Sequence, residues 1–161
     1  WKTVLENVAF GPKMRGVGRA EREAIAREFL ELAGLSHAAD RYPNELSGGM
    51  QQRVGVARAL ANHPDVLLMD EPFARVDAQT RMTLQEELTR IWQERRTTVI
   101  FITHDVAEAV FLANRVVVLS KGHVLTEIEV PLPHPRRWDA LMEDEQFKAL
   151  SALVLQKVRA A

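Results

Sequence analysis

The chain reads as an α/β protein with a parallel sheet covered by helices. Two observations in its second half predict this. Short β-branched, apolar runs alternate with stretches of helical periodicity, in the order strand, helix, strand, helix, strand. Two of those runs end in polar residues with chemical reach, Asp70-Glu71 and Thr103-His104, and ligands of such sheets bind at the carboxyl ends of strands.

The elements follow in order. Thr3 with Glu6 forms a T-x-x-E capping box, so a short helix is expected through Val8, ended by Gly11-Pro12. A longer helix is expected over 19–33, with Ile25, Phe29 and Leu32 on one face and Gly34 as C-cap. Residues 42–49 form a loop by composition; a helix follows to about Ala61, and Asn62-His63-Pro64 stops it. Val66 to Met69 reads as a buried parallel strand. Residues 78–95 are helical, with Leu84, Leu88 and Ile91 on one face. Thr98 to Ile102 is a second buried strand, 106–113 a helix with Val106, Ala109, Val110 and Ala113 on one face, and Val116 to Leu119 a third strand. Ser120-Lys121-Gly122 turns that strand into 124–130 as an antiparallel hairpin. Pro131, Pro133 and Pro135 make an extended connector, and a tail helix over 139–158 carries Phe147, Leu150 and Val154 on one side.

Bulk properties exclude several classes. The 161 residues suffice for one domain with a core, and a net charge of −1 speaks against nucleic acid or an anionic lipid surface as main partner. Without cysteine there are neither disulfides nor thiolate metal sites. No apolar run approaches the roughly 20 residues of a membrane span, and no signal peptide opens the chain. The chain starts on Trp1, which reads as a break in a longer sequence.

Ser47-Gly48-Gly49 stands directly before a helix, where glycines admit a ligand close to the backbone and free N–H groups attract an anion. Taken alone, the triplet reads better as a loop with a serine N-cap. In Val66-Leu67-Leu68-Met69-Asp70-Glu71, four apolar residues run into two acids. Asp70 would lie at a strand end, suited to Mg²⁺ through a water. Glu71, one residue on, where the chain leaves the strand, could reach a water as general base. Two acids merely capping a surface strand is the plainer alternative. His104 could hold that water or a phosphate oxygen. His37, His63, His123 and His134 have no such setting and read as surface or loop residues.

The string Leu46-Ser47-Gly48-Gly49-Met50-Gln51-Gln52-Arg53 with Ala57-Arg58-Ala59-Leu60 resembles the signature motif of the ATP-binding-cassette (ABC) ATPases and the helix behind it. The family's commonest form has Gln where Met50 stands; importer ATPases of the nitrate, sulfonate and taurine type often carry Met. By that resemblance Ser47, Gly48 and Gly49 touch the ATP γ-phosphate of the opposite subunit, with Gln51 close by. Asp70 becomes the Walker B aspartate, Glu71 the catalytic base and His104 the switch histidine, with Glu108-Ala109 following as in the family. Ala74-Arg75-Val76-Asp77 occupies the D-loop position; Asp77 matches, Arg75 and Val76 depart, and Asp77 could equally serve as a helix N-cap. Residues 129–136 and 1–8 resemble the same importer branch at both ends.

The resemblance implies an ABC ATPase of P-loop NTPase type. Residues 1–63 would be the helical subdomain with the signature, 64–130 the C-terminal part of the parallel-sheet core, and 131–161 the connector and tail helix. No G-x-x-x-x-G-K-[ST] string occurs, nor a glutamine loop or an adenine-stacking aromatic. The chain is therefore expected to be an N-terminally truncated member, lacking Walker A and the Q-loop and inactive alone. The implied whole is an ATP- and Mg²⁺-dependent subunit energising uptake of nitrate, a sulfonate or taurine. It would work as a homodimer at the cytoplasmic face of the inner membrane, docked on permease subunits, indirectly served by a substrate-binding protein, and without nucleic acid. A truncated, non-hydrolysing partner-binding module is the alternative; a soluble ABC ATPase of translation or DNA repair fits the chain ends less well.

Overall fold

The computed structural model describes residues 1–74, 76–95 and 97–160. Its first third is helical: α1 (Val4–Val8), α2 (Phe10–Met14), α3 (Arg19–Leu32) and α4 (Gly48–Leu60), with 3₁₀ turns at Ser36–Ala38 and Pro43–Glu45. Then come β1 (Val66–Asp70), α5 (Ala78–Arg95), β2 (Thr98–Ile102), α6 (Val106–Leu112), β3 (Arg115–Ser120), β4 (His123–Glu129), α7 (Trp138–Leu141) and α8 (Glu145–Arg159).

Local chemistry sets several boundaries as expected. Thr3 and Glu6 close the capping box of α1. Gly34 stands at φ +66°, and the amides of Leu35 and Gly34 bond back to the carbonyls of Leu30 (2.7 Å) and Glu31 (2.9 Å). That is a Schellman stop, with Leu30 and Leu35 both fully buried beside it. Lys121 and Gly122, both at positive φ, make the two-residue hairpin turn between β3 and β4.

Four expectations are corrected. Gly11-Pro12 does not end the first helix; α1 stops at Ala9, and Gly11 and Pro12 lie inside α2. Pro12 sits in the first turn of α2, where its missing N–H would have had no helical partner. The tail is two helices, because Asp144 caps a new start by accepting from Phe147 N at 2.8 Å. β1 and β2 are not buried on both faces: Leu67 and Met69 point into the core, while Val66, Leu68, Ile100 and Ile102 are about half exposed or more. And β3 does not join β1 and β2; among the described residues there are two two-stranded sheets, β1–β2 parallel and β3–β4 antiparallel.

The core has two parts. One gathers α1, α3, α4, the inner faces of β1 and β2, and Leu88 of α5. The other gathers Val110 and Phe111 of α6, the hairpin, and Trp138, Leu141, Phe147 and Val154 of the tail. Trp138 stacks on Phe111 with ring centres 4.2 Å apart and meets Phe147 edge-on. Among the described residues no helix is long and apolar enough to cross a membrane.

Candidate functional site

The parallel register pairs Asp70 with Ile102, so both strands deliver their polar ends to one edge of the sheet. The ladder runs one residue further, with Glu71 N donating to Ile102 O at 2.9 Å. Glu71 then turns out of the strand at φ +43°, a left-handed conformation that costs a non-glycine residue energy and is concentrated at functional sites. Behind it Phe73, almost fully buried, packs on Phe101 with ring centres 5.7 Å apart and anchors the loop.

This turn brings Glu71 to His104: Glu71 Oε1 lies 2.9 Å from His104 Nδ1. The hydrogen bond to Glu71 and its negative charge, helped by Asp105 and Glu108, raise the His104 pKa above its ordinary value. The pair stands open, with side-chain exposures of 77% for His104 and 46% for Glu71, so an incoming group could reach it. Asp70, exposed, ends β1 beside it.

The serine-glycine turn opens α4, the helix that one side chain ties to the same strand end. Ser47 N-caps α4, its Oγ accepting from Met50 N at 3.3 Å, and Gly48 and Gly49 form the first turn. A methyl added at Gly48 would meet nothing within 4 Å, which leaves the backbone there open to an incoming group. Gln51 turns back, its amide donating to the Pro43 (2.9 Å) and Leu46 (3.2 Å) carbonyls, and so holds the loop. Its neighbour Gln52 reaches the Glu71 carbonyl at 3.4 Å, linking α4 to the strand end.

Asp77 caps α5 by accepting from Thr80 N at 3.0 Å, a bond that holds its carboxyl below the usual aspartate range. Val76, 4% exposed, is an apolar anchor of the same loop. Arg75, the other departure there, lies outside the described residues.

Among the described residues no cluster of three or more His, Asp or Glu side chains could hold a metal. An exposed Asp70 carboxylate at a strand end, with a second acid following, does suit Mg²⁺, which keeps several waters and leans on one or two carboxylates plus substrate phosphates.

Two groups of residues carried no assigned role in the sequence. Arg136, 2% exposed, spreads its guanidinium over five carbonyls: Val110, Phe111 and Ala113 at the C-terminus of α6, and Val130 and Leu132 of the connector. Burial lowers its pKa to about 10. Gln85 and Glu108, also buried, form a hydrogen-bonded chain with Trp138. An arginine among prolines just after a strand is the one local hint; its partners in α6 lie 23 to 26 residues away and leave no sequence trace.

A family model described as "ABC transporter" matches residues 1–74. The chain is 55% identical over 132 residues to the taurine import ATP-binding protein TauB of Rhizobium johnstonii, covering 81% of this chain and 50% of that protein. It is 44% identical over 155 residues to the nitrate import ATP-binding protein NrtD of Synechococcus elongatus, covering 93% and 57%. Of solved structures, the dimeric ABC transporter cassette MJ0796 superposes with a TM-score of 0.73 at 36% identity, covering 80% of this chain and 57% of that one. The chain thus spans about half the length of the curated relatives it matches. Its fold is the ABC ATPase fold of P-loop type, as expected. The family match begins at residue 1, which corrects the reading of the chain as an N-terminally truncated member; the G-x-x-x-x-G-K-[ST] string itself does not occur in the sequence.

Proposed function

We propose that this chain, matched to the ABC transporter family over residues 1–74, 55% identical to an importer ATPase and of ABC ATPase fold, belongs to an ABC-type ATPase, and that the whole protein is the ATP-hydrolysing subunit of an importer for a small anion or organosulfur compound of the nitrate or taurine kind. The observation that carries the reading is the Glu71–His104 pair, 2.9 Å apart where two parallel strands end together.

Each residue has a role in that reading. Glu71 takes a proton from the attacking water, and its turn out of β1 frees the carboxylate to face an incoming group. His104, hydrogen-bonded to Glu71, steadies the water or a phosphate oxygen, and its protonated form meets the developing charge of the transition state. Asp70 would hold Mg²⁺ through a water, and the ion would neutralise charge on the phosphates. Ser47, Gly48 and Gly49 offer the N-terminus of α4 to the γ-phosphate of a nucleotide held by a second copy, and Gln51 keeps that turn in place. Asp77 fixes the loop at the dimer axis by capping α5. The same reading makes the partners a second ATPase subunit and permease subunits, with a substrate-binding protein acting indirectly, and places the protein peripherally on the cytoplasmic face of the inner membrane.

Glu71→Gln in the whole protein tests the proposal. Loss of a general base lowers turnover by about 10²–10⁴-fold and leaves ATP binding intact. Hydrolysis at the parental rate would remove Glu71 from this role.

A further inference from the structure

We infer that Glu108, Gln85 and Trp138 are positioning residues for His104, forming a buried hydrogen-bonded chain between the proline connector and the helix that begins beside the histidine. The inference rests on the role of His104 proposed above.

His104 has little to orient it except its backbone and Glu71, since its side chain is 77% exposed. Its backbone leads directly into Asp105, the N-cap of α6, whose Oδ1 accepts from Ala107 N (2.9 Å) and Glu108 N (3.1 Å). Where α6 goes, His104 goes. Yet α6 has only seven residues, too few to be stable without support.

The support enters at both ends. At the N-terminal turn the Glu108 carboxylate, 6% exposed, accepts from Gln85 Nε2 at 2.7 Å. Gln85, 1% exposed, uses its Oε1 to accept from Trp138 Nε1 at 2.8 Å. Trp138 is fixed in turn by its backbone N–H, which donates to Glu86 Oε1 at 2.9 Å, and by its stack on Phe111 of α6. At the other end Arg136, two residues before Trp138, holds the last carbonyls of α6. Arg136 of the connector and Trp138 at the start of α7 thus grip α6 at both termini while α5 supplies the middle link.

Stability alone does not call for this chain. A buried carboxylate is desolvated at a cost, and no basic side chain pairs with Glu108 among the described residues. Apolar residues of similar volume would hold the elements together as well or better. What a fully paired polar chain adds is direction: each donor has one acceptor, and a slip of α6 would orphan buried groups.

Steady-state ATP hydrolysis by the whole protein decides it, with three variants and one control. Gln85→Met removes both bonds of the middle link. Trp138→Phe keeps the stacked ring and removes one donor. The paired swap Gln85→Glu with Glu108→Gln keeps both bonds, because the new carboxylate accepts from Trp138 and from the new amide. For Gln85→Met we expect kcat to fall about ten- to a hundredfold with KM for ATP within about twofold, the signature of a misplaced group that acts on the transition state. Trp138→Phe should fall in the same direction by less, and the swap should return kcat to within about threefold of the parent. Parental kcat in Gln85→Met, or a swap as slow as Gln85→Met, would overturn the inference. The control is His104→Ala: parental kcat there would sink the reading of the site itself and not only the chain that positions it.

Discussion

At His104 a single hydrogen bond sets the charge state. Its bond to Glu71 raises the histidine pKa above 6.5, so the pair is worth most when the ring is protonated. Its contribution to stability is fully present below about 6.5, the unfolded value, and fades as pH rises through the folded pKa. The ring resonances of His104, followed by NMR against pH, should therefore titrate above the usual histidine range, and Glu71→Gln should bring the midpoint back down. An unchanged midpoint would show that Glu71 does not govern the ring. Most of the residues at this edge were legible as letters: an acid after four apolar residues, a histidine after a β-branched run, a serine and two glycines before a helix. Their conformations were not. The left-handed turn at Glu71 and the inward fold of the Gln51 amide arise from packing of Phe73 and from the carbonyls of a neighbouring loop, neither of which has a local sequence signal.

Elements were legible where their ends are decided locally. The capping box before α1, the Gly34 stop after α3 and the Lys121-Gly122 turn were all read from a few adjacent residues. Position decides where a breaker acts: Gly11-Pro12 reads as a terminator, yet proline is well tolerated in a first turn, and here it lies inside α2. α6 shows the other limit. Its C-terminus is closed by Arg136, more than twenty residues downstream, so no window around α6 contains its own cap. Arg136→Ala should leave five carbonyls without their charged donor and lower stability by about 3 kcal/mol or more, seen as a fall in the thermal midpoint. Arg136→Lys should recover part of this only, since one ammonium cannot span the same fork. A midpoint within a degree of the parent for Arg136→Ala would mean that water replaces the guanidinium at no cost.

Across the whole molecule the apolar surface is unevenly covered. Val66, Leu68, Ile100 and Ile102 lie on one face of β1–β2, with exposures of 55%, 65%, 52% and 47%. A contiguous apolar patch of this kind on a strand pair promotes association. The 161-residue chain, purified by itself, should bind a hydrophobic dye and self-associate as concentration rises, and Leu68→Thr with Ile100→Thr should reduce both effects. Sedimentation that reports a monomer at all concentrations would remove the patch from consideration. Reading these strands as buried on both sides comes from their continuous apolar character, which does not separate a strand with one open face from one covered on both.

The two-part core has a temporal consequence. β2 belongs to one cluster and α6 to the other, and the chain crosses between them at Thr103, His104 and Asp105. Cooperative units of opening tend to follow such clusters. In deuterium exchange the amides of α6 should lose protection together with those of α7 and α8, and at a different rate from those of β2. His104 would then sit on a joint between two clusters that open at different rates, where a small relative motion moves the histidine against Glu71 without unfolding either cluster.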